Sequence, residues 1–154
     1  MVAALPRWVI CEICGLNSMS DYSIVSTPPD LEDYLRLRAA AGLSSKGREA
    51  ARIGLSNSWF AVHVVHEGKT VGMGRIIGDG GCFFQVVDIA ALPDHQGRGL
   101  GKRIMAALME YFEAHAPESA YMSLIADGKA KDLYAQFGFK PTAPASIGMW
   151  RKKS

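Results

Sequence analysis

Cysteine is scarce in this chain, the charge is nearly balanced, and no long apolar run occurs. Three cysteines (Cys11, Cys14 and Cys82) are too few and too odd in number for a disulfide framework. That usage fits a reducing, cytoplasmic setting. Cys11 and Cys14 form a lone C-x-x-C with no second pair, and His63, His66, His95 and His115 are not spaced as zinc ligands. No metal site is expected. Nothing approaches the ~18 consecutive apolar residues of a membrane span, so no membrane partner is expected either. Lys+Arg 17 against Asp+Glu 15 leaves a net charge of +2. The basic residues form no stripe interleaved with aromatics, which argues against a nucleic-acid partner. The apolar patch at residues 8–11 is cut by Glu12 and lacks the apolar core of a signal peptide. Residues 1–20 therefore read as an N-terminal extension, disordered in part, and residues 21–154 as one domain.

What is present is ordinary globular stock, 49% hydrophobic and 21% charged, with enough chain to bury well over half of its unfolded surface. Glycine is the one excess: 16 residues, roughly 10% against an average near 7%. Residues 22–27 (YSIVST) are a short β-prone run stopped by Pro28-Pro29. Asp30 is placed to cap a helix carrying Leu31, Tyr34 and Leu35, with Gly42 at its end. A weaker helix is expected over 45–53. Residues 59–66 and 70–77 form a hairpin around Glu67-Gly68-Lys69, and 82–92 are a third β run. The period then changes. Leu100, Ile104, Leu108 and Phe112 recur at helical spacing up to Pro117. A strand over 121–126, a short helix over 129–137 closed by Gly138, and final β pieces at 139–140 and 147–151 complete the chain. The order is β-α-α-β-β-β-α-β-α-β-β, an α/β (α+β) layered domain.

Residues 96–102 (QGRGLGK) join the third long strand to the longest helix. Glycines allow close backbone approach, and the free N–H groups of a helix start face outward as an anion site. A Walker loop needs glycine where Gln96 stands and Ser or Thr where Arg103 stands. A Rossmann turn needs glycine where Lys102 stands. Both fail. Arg98, Lys102 and Arg103 put three cations where the helix dipole favours anions, a placement that a bound polyphosphate would justify.

The remaining pattern, Q-x-x-G-x-G after a β run and before an amphipathic helix, resembles the pyrophosphate-binding loop of the GNAT superfamily of N-acetyltransferases. A second marker comes later in the chain: residues 133–139 (LYAQFGF) are a form of that superfamily's LYxxxGF element. The resemblance spans nearly the whole domain. It implies a mixed, mostly antiparallel central sheet flanked by helices, and acetyl-CoA as acyl donor. Residues 123–127 (SLIAD), Gly148-Met149-Trp150, the loop and Asp88 further resemble the branch holding the plant plastid-type serotonin N-acetyltransferases. That branch acetylates arylalkylamines and, in some members, polyamines or lysine, which implies a small primary amine as substrate.

The resemblance also implies roles. Main-chain groups of Ile89, Ala90 and Ala91 would pair with the pantetheine arm. Gln96, Gly97, Arg98, Gly99, Leu100, Gly101 and Lys102 would hold the pyrophosphate. Tyr134 matches the usual general acid, a phenol suited to a departing thiolate. The glutamate of bacterial ribosomal-protein acetyltransferases falls at Met122, which cannot serve as a base. The family's asparagine falls at Asp127, expected to cap the following helix or touch the cofactor. Asp88, a carboxylate in an apolar strand, reads either as base or ammonium anchor, or as a structural partner of Arg75. His63 is a weaker candidate base. Trp59, Phe83, Phe84 and Tyr121 could line an amine pocket or pack the core. The resemblance leaves the oligomeric state open: a homodimer is common in the family, and the hydrophobic C-terminal β piece could support one. The alternative to an enzyme is an acyl-CoA-binding module that senses CoA or a partner protein.

Overall fold

In the computed structural model, which describes residues 21–153, the Asp30 side chain accepts a hydrogen bond from the Asp33 N–H at 2.8 Å. It thereby caps helix α1 (Leu31–Ala40). The expected extension over residues 1–20 lies outside the described residues. The remaining elements are β1 (Tyr22–Val25), α2 (Arg48–Ser56), β2 (Phe60–His66), β3 (Lys69–Gly78), β4 (Phe83–Ala91), α3 (Leu100–His115), β5 (Tyr121–Ser123) and α4 (Ala130–Ala135). The five strands form one sheet in the order β1-β2-β3-β4-β5. Neighbours are antiparallel except β4 and β5, which run parallel.

Strand alternation divides the sheet into two faces. One packs on α3, where Val62, Val64, Ile76 and Phe84 meet Ile104, Met105 and Leu108 in the larger core. The other carries Met73 and Ala90 against Tyr34 and Leu37 of α1 and Ala51 and Leu55 of α2. Glycine lets α3 lie this close: a Cβ at Gly74 would stand 2.4 Å from Ile104 Cγ2 and 2.7 Å from Ile89 Cδ1. Helix α2 starts and ends three residues later than the spacing suggests. Gly54 lies within it, and its carbonyl accepts from Arg75 Nη1 at 2.7 Å, tying the helix to β3.

The fold class is α+β, with a mixed, mostly antiparallel sheet, as the sequence implied. Its last two strands are a correction. Residues 139–140 and 147–151 form no strand, and β5 stops at Ser123 instead of continuing to 126. Pro141 and Pro144 remove ladder donors from this stretch, and a turn closed by Ser146 N–H donating to the Thr142 carbonyl (3.0 Å) redirects the chain. Residues 140–153 are exposed throughout.

Candidate active site

Strand β4 pairs with β3 as far as Ala91. With β5 it pairs only over Phe83, Phe84 and Gln85. Beyond Gln85 the strands part, so Ile89, Ala90 and Ala91 have a strand on one side only. A β-bulge accompanies the parting. Met73 faces Ala90 but Arg75 faces Val87, so Gly74 stands opposite two residues, Asp88 and Ile89. Asp88 takes φ 59°, a left-handed conformation uncommon outside glycine.

The bulge delivers the Asp88 carboxylate to a buried ion cluster. Oδ2 accepts from Arg75 Nε at 2.8 Å and from the Tyr34 hydroxyl at 3.0 Å, and Oδ1 accepts from Arg38 Nη1. Both arginines are themselves fixed. Arg38 donates to the Ser44 carbonyl at 2.6 and 3.0 Å, and Arg75 donates to Ser58 Oγ at 2.9 Å. All three charged side chains are buried, and both guanidiniums lie over the Tyr34 ring. Burial and the Asp88 charge push the Tyr34 phenol above its ordinary range. Taking a proton at Asp88 would leave two buried guanidiniums without a counter-charge. Both carboxylate oxygens are thus occupied by Arg75, Arg38 and Tyr34, the arrangement of a structural partner of Arg75. Sequence reasoning points to Arg75 but misses Arg38 and Tyr34, whose i,i+4 spacing on α1 is the available signal.

Past β4, a short 3-10 turn (Pro93–His95) leads into the glycine loop. Gln96 is exposed, and its Nε2 donates to the Ala91 carbonyl at 3.0 Å, fastening the loop to the strand. Gly97 and Gly99 take φ 72° and 75°, each with open space where a Cβ would stand. Gly99 caps α3 without a side-chain hydrogen bond, so the N–H groups of Leu100, Gly101 and Lys102 have no acceptor within the helix. Arg98 and Lys102 are exposed beside them. Arg103 turns away, donating to the Tyr22 carbonyl at 2.8 Å, so two of the three expected cations face the loop. Gly101 serves packing: a Cβ there would stand 3.2 Å from Leu133 Cδ2, which seats α4 against the start of α3. His95, bonded to the Tyr22 hydroxyl at 2.9 Å, is held below the usual histidine range by burial, by His66 and by Arg98.

Tyr134 on α4 is buried and packs edge-on to Phe139. No hydrogen bond reaches its hydroxyl among the described residues. Burial, then the charge of Asp127, push this phenol upward, so it stays protonated at neutral pH. Asp127 is exposed and caps nothing with its side chain; α4 opens at Lys129 with no side-chain cap. His63 is bonded through Nδ1 to the Thr27 carbonyl at 2.8 Å, outside the β4–β5 cleft. The four aromatics divide. Trp59 and Phe84 pack together in the core at 4.5 Å. Phe83 and Tyr121 are 65% and 53% exposed, with rings 6.3 Å apart, just before the strands part.

Comparison with known proteins agrees with this geometry. A family model described as an acetyltransferase (GNAT) domain matches residues 58–141. A solved structure from meticillin-resistant Staphylococcus aureus, described as a protein of unknown function and probable acetyltransferase, is 48% identical. It superposes with a TM-score of 0.82 over 86% of this chain and 99% of that one. An uncharacterized N-acetyltransferase, ycf52, of Gracilaria tenuistipitata var. liui is 25% identical over 125 residues, which is 79% of this chain and 68% of that protein. The ribosomal-protein-S18-alanine N-acetyltransferase of Escherichia coli is 19% identical with a TM-score of 0.67, over 79% of each chain, and shares the fold alone. Among the described residues, no helix is long and apolar enough to cross a membrane. The chain belongs to the GNAT family: it is an N-acetyltransferase, and its domain implies an acyl-CoA donor.

Proposed function

We propose that this enzyme transfers an acetyl group from acetyl-CoA to a small primary amine, by direct attack of the amine on the thioester. The observation that carries this reading is a set of unmet polar groups in one corner of the fold: the free flank of β4, the uncapped start of α3 and the unpaired Tyr134 hydroxyl. The residues fit such a donor. Positive φ at Gly97 and Gly99, with open space around both, leaves a cradle that a Cβ would narrow. When bound, the donor supplies an activated thioester carbonyl and a thiolate that must leave. The N–H groups of Leu100, Gly101 and Lys102, with the Arg98 and Lys102 side chains, take the phosphate charge. Main-chain groups of Ile89, Ala90 and Ala91 align the amide-bearing arm as an added strand would. Tyr134 Oη would give its proton to the departing sulfur, its raised pKa keeping it protonated until then; solvent would take the proton that the attacking nitrogen sheds and return one to the phenol. Asp127 touches the donor from the start of α4.

Asp88 is a positioning residue in this scheme. It ties the bulged stretch of β4 to β3 and α1, and the amine reaches the thioester in its neutral form. Phe83 and Tyr121 favour an arylalkylamine or polyamine over a protein lysine, because an exposed aromatic pair offers a flat apolar wall and faces for a cation. The resemblance to the plant plastid-type serotonin N-acetyltransferases points the same way. Release of free thiol is to be measured with acetyl-CoA and propionyl-CoA against arylalkylamines, polyamines and a lysine peptide. Fastest turnover is expected with acetyl-CoA and an arylalkylamine. CoA binding without thiol release on any amine would overturn the reading.

A further inference from the structure

Two histidines and a tyrosine form a cluster of rings beside the glycine loop that the acyl-transfer chemistry leaves unused. Tyr22 of β1 stacks on His66 of β2, with ring centroids 4.4 Å apart and an interplanar angle of 20°. His95, the last residue before Gln96, meets Tyr22 edge-on at 5.7 Å and His66 at 5.2 Å. The His66 Nδ1 is bonded to the Asp21 carbonyl at 3.1 Å, and the His95 Nδ1 to the Tyr22 hydroxyl. The cluster lies on the α3 side of the sheet, since Tyr22 belongs to the larger core and Arg103, in the first turn of α3, bonds its carbonyl. The half-buried His95 ring is thus fixed beside the loop. Its Nε2 has no partner among the described residues.

We propose that His95 is a phosphate ligand of the donor site, donating from Nε2, and that it takes up a proton when the donor binds. This rests on the acyl-CoA reading of the loop. With the Tyr22 hydroxyl donating to Nδ1, the neutral ring carries its hydrogen on Nε2. Once protonated, the ring donates from both nitrogens and the Tyr22 oxygen accepts. Both states present an N–H, and the protonated one adds a charge. The ionisable groups about the ring are Asp21 and Tyr22 of β1, His66 of β2, Glu67 and Lys69 of the hairpin, Asp94, Arg98 and Arg103. In the free protein, burial, His66 and Arg98 outweigh Asp94 and Glu67 and hold His95 below the usual histidine range, so it is mostly neutral at pH 7. A phosphate between His95 and Arg98 reverses that balance, because its negative charge offsets the guanidinium and favours the imidazolium. A group whose pKa rises on binding makes the complex tighter as pH falls.

Calorimetric titration of CoA into the full chain, in two buffers of different ionisation enthalpy, counts the protons taken up. Uptake of about half a proton or more near pH 7 is expected. Affinity should rise roughly fivefold from about pH 8 to 6.5, above the midpoint at which a phosphate monoester itself titrates. His95→Gln keeps a side-chain N–H that does not titrate, and should abolish the uptake and flatten the pH dependence. His66→Gln should keep both. If the uptake is lost with His66→Gln and kept with His95→Gln, the proton belongs to the other ring and the proposal falls. Dephospho-CoA, which lacks the singly esterified phosphate, identifies the partner: lost uptake assigns that phosphate to His95, and retained uptake assigns the pyrophosphate. CoA binding without proton uptake would overturn the proposal and leave the acyl-CoA reading standing, whereas no CoA binding would overturn both. Because the linkage acts on donor affinity, it leaves the amine's pH profile at saturating acetyl-CoA unchanged.

Discussion

Two regions of the molecule use their polar groups in opposite ways. Around Asp88, the carboxylate and both guanidiniums are occupied, each tying one element to another: β4 to β3, to α1 and, through Arg75, to α2. Further along the chain, at the start of α3 and on α4, donors are left over: three helix N–H groups without an intrahelical acceptor and a phenol without a partner among the described residues. The first region cannot change its contacts without stranding charge. The second has valences to offer a ligand. Saturated clusters hold shape and unsaturated ones do chemistry, and the bulge at Asp88 joins the two.

Substitutions can break that contrast. The largest effect is expected from Asp88→Ala, which strands Arg38 and Arg75. Removing one partner of a buried pair costs about 3–5 kcal/mol, so chemical denaturation should find the variant severely destabilised. A stability within about 1 kcal/mol of the parent, the size of a surface pair, would show the cluster to be dispensable. Next is Tyr134→Phe, expected to lower kcat roughly 100-fold, at the lower end of general-acid contributions. Stability and CoA affinity should change little, since no hydrogen bond is lost. Gly99→Ala acts on the open side, where a Cβ meets no atom but φ is unfavourable. A loss of about tenfold in CoA affinity is expected, from roughly 1–2 kcal/mol of backbone strain, read by calorimetric titration. The pH profile sharpens the comparison further. With Asp88 committed and Met122 inert, log(kcat/KM) should rise with unit slope from about pH 6 to 9 as the amine loses its proton, with the acceptor's pKa near 10 as for a lysine amine. Tyr134, its pKa raised, stays protonated across that range. An inflection between about pH 5 and 7 would mean that a side chain accepts the proton. The smallest effect is expected from Arg103→Ala, whose guanidinium reaches back to β1. CoA affinity should hold within about twofold, whereas Arg98→Ala or Lys102→Ala should weaken it several-fold and reduce its salt dependence.

Most of this is legible in the sequence where a residue's role depends on its neighbours in the chain. Asp30 caps α1, the glycine loop opens α3, and the apolar spacing from Leu100 to Phe112 gives the long helix. The rest requires knowledge of distant partners. The run FFQVVDIAA is nearly apolar throughout, so nothing in it marks the point where the bulge shifts strand parity and puts both Val87 and Ala90 on the α1 face. Asp88 stands out in that run as unusual, but its two arginines come from α1 and β3, which no local pattern connects. Trp59 and Phe84 differ from Phe83 and Tyr121 only by which face of the sheet they occupy. The C-terminal β pieces rest on composition alone, and composition does not say whether a strand has a partner within its own chain.

The hydrogen bond from Gln96 to the Ala91 carbonyl carries one further consequence. It joins the segment that would grip one end of a long, flexible ligand to the segment that would grip the other, so the two grips share a single cost of ordering. A fragment holding only the phosphate end should pre-organise β4 for the opposite end, and the whole donor should bind more tightly than its separated halves predict. In thermodynamic terms, this carboxamide is a linkage element, and Gln96→Ala would make the two half-sites independent while leaving each one intact.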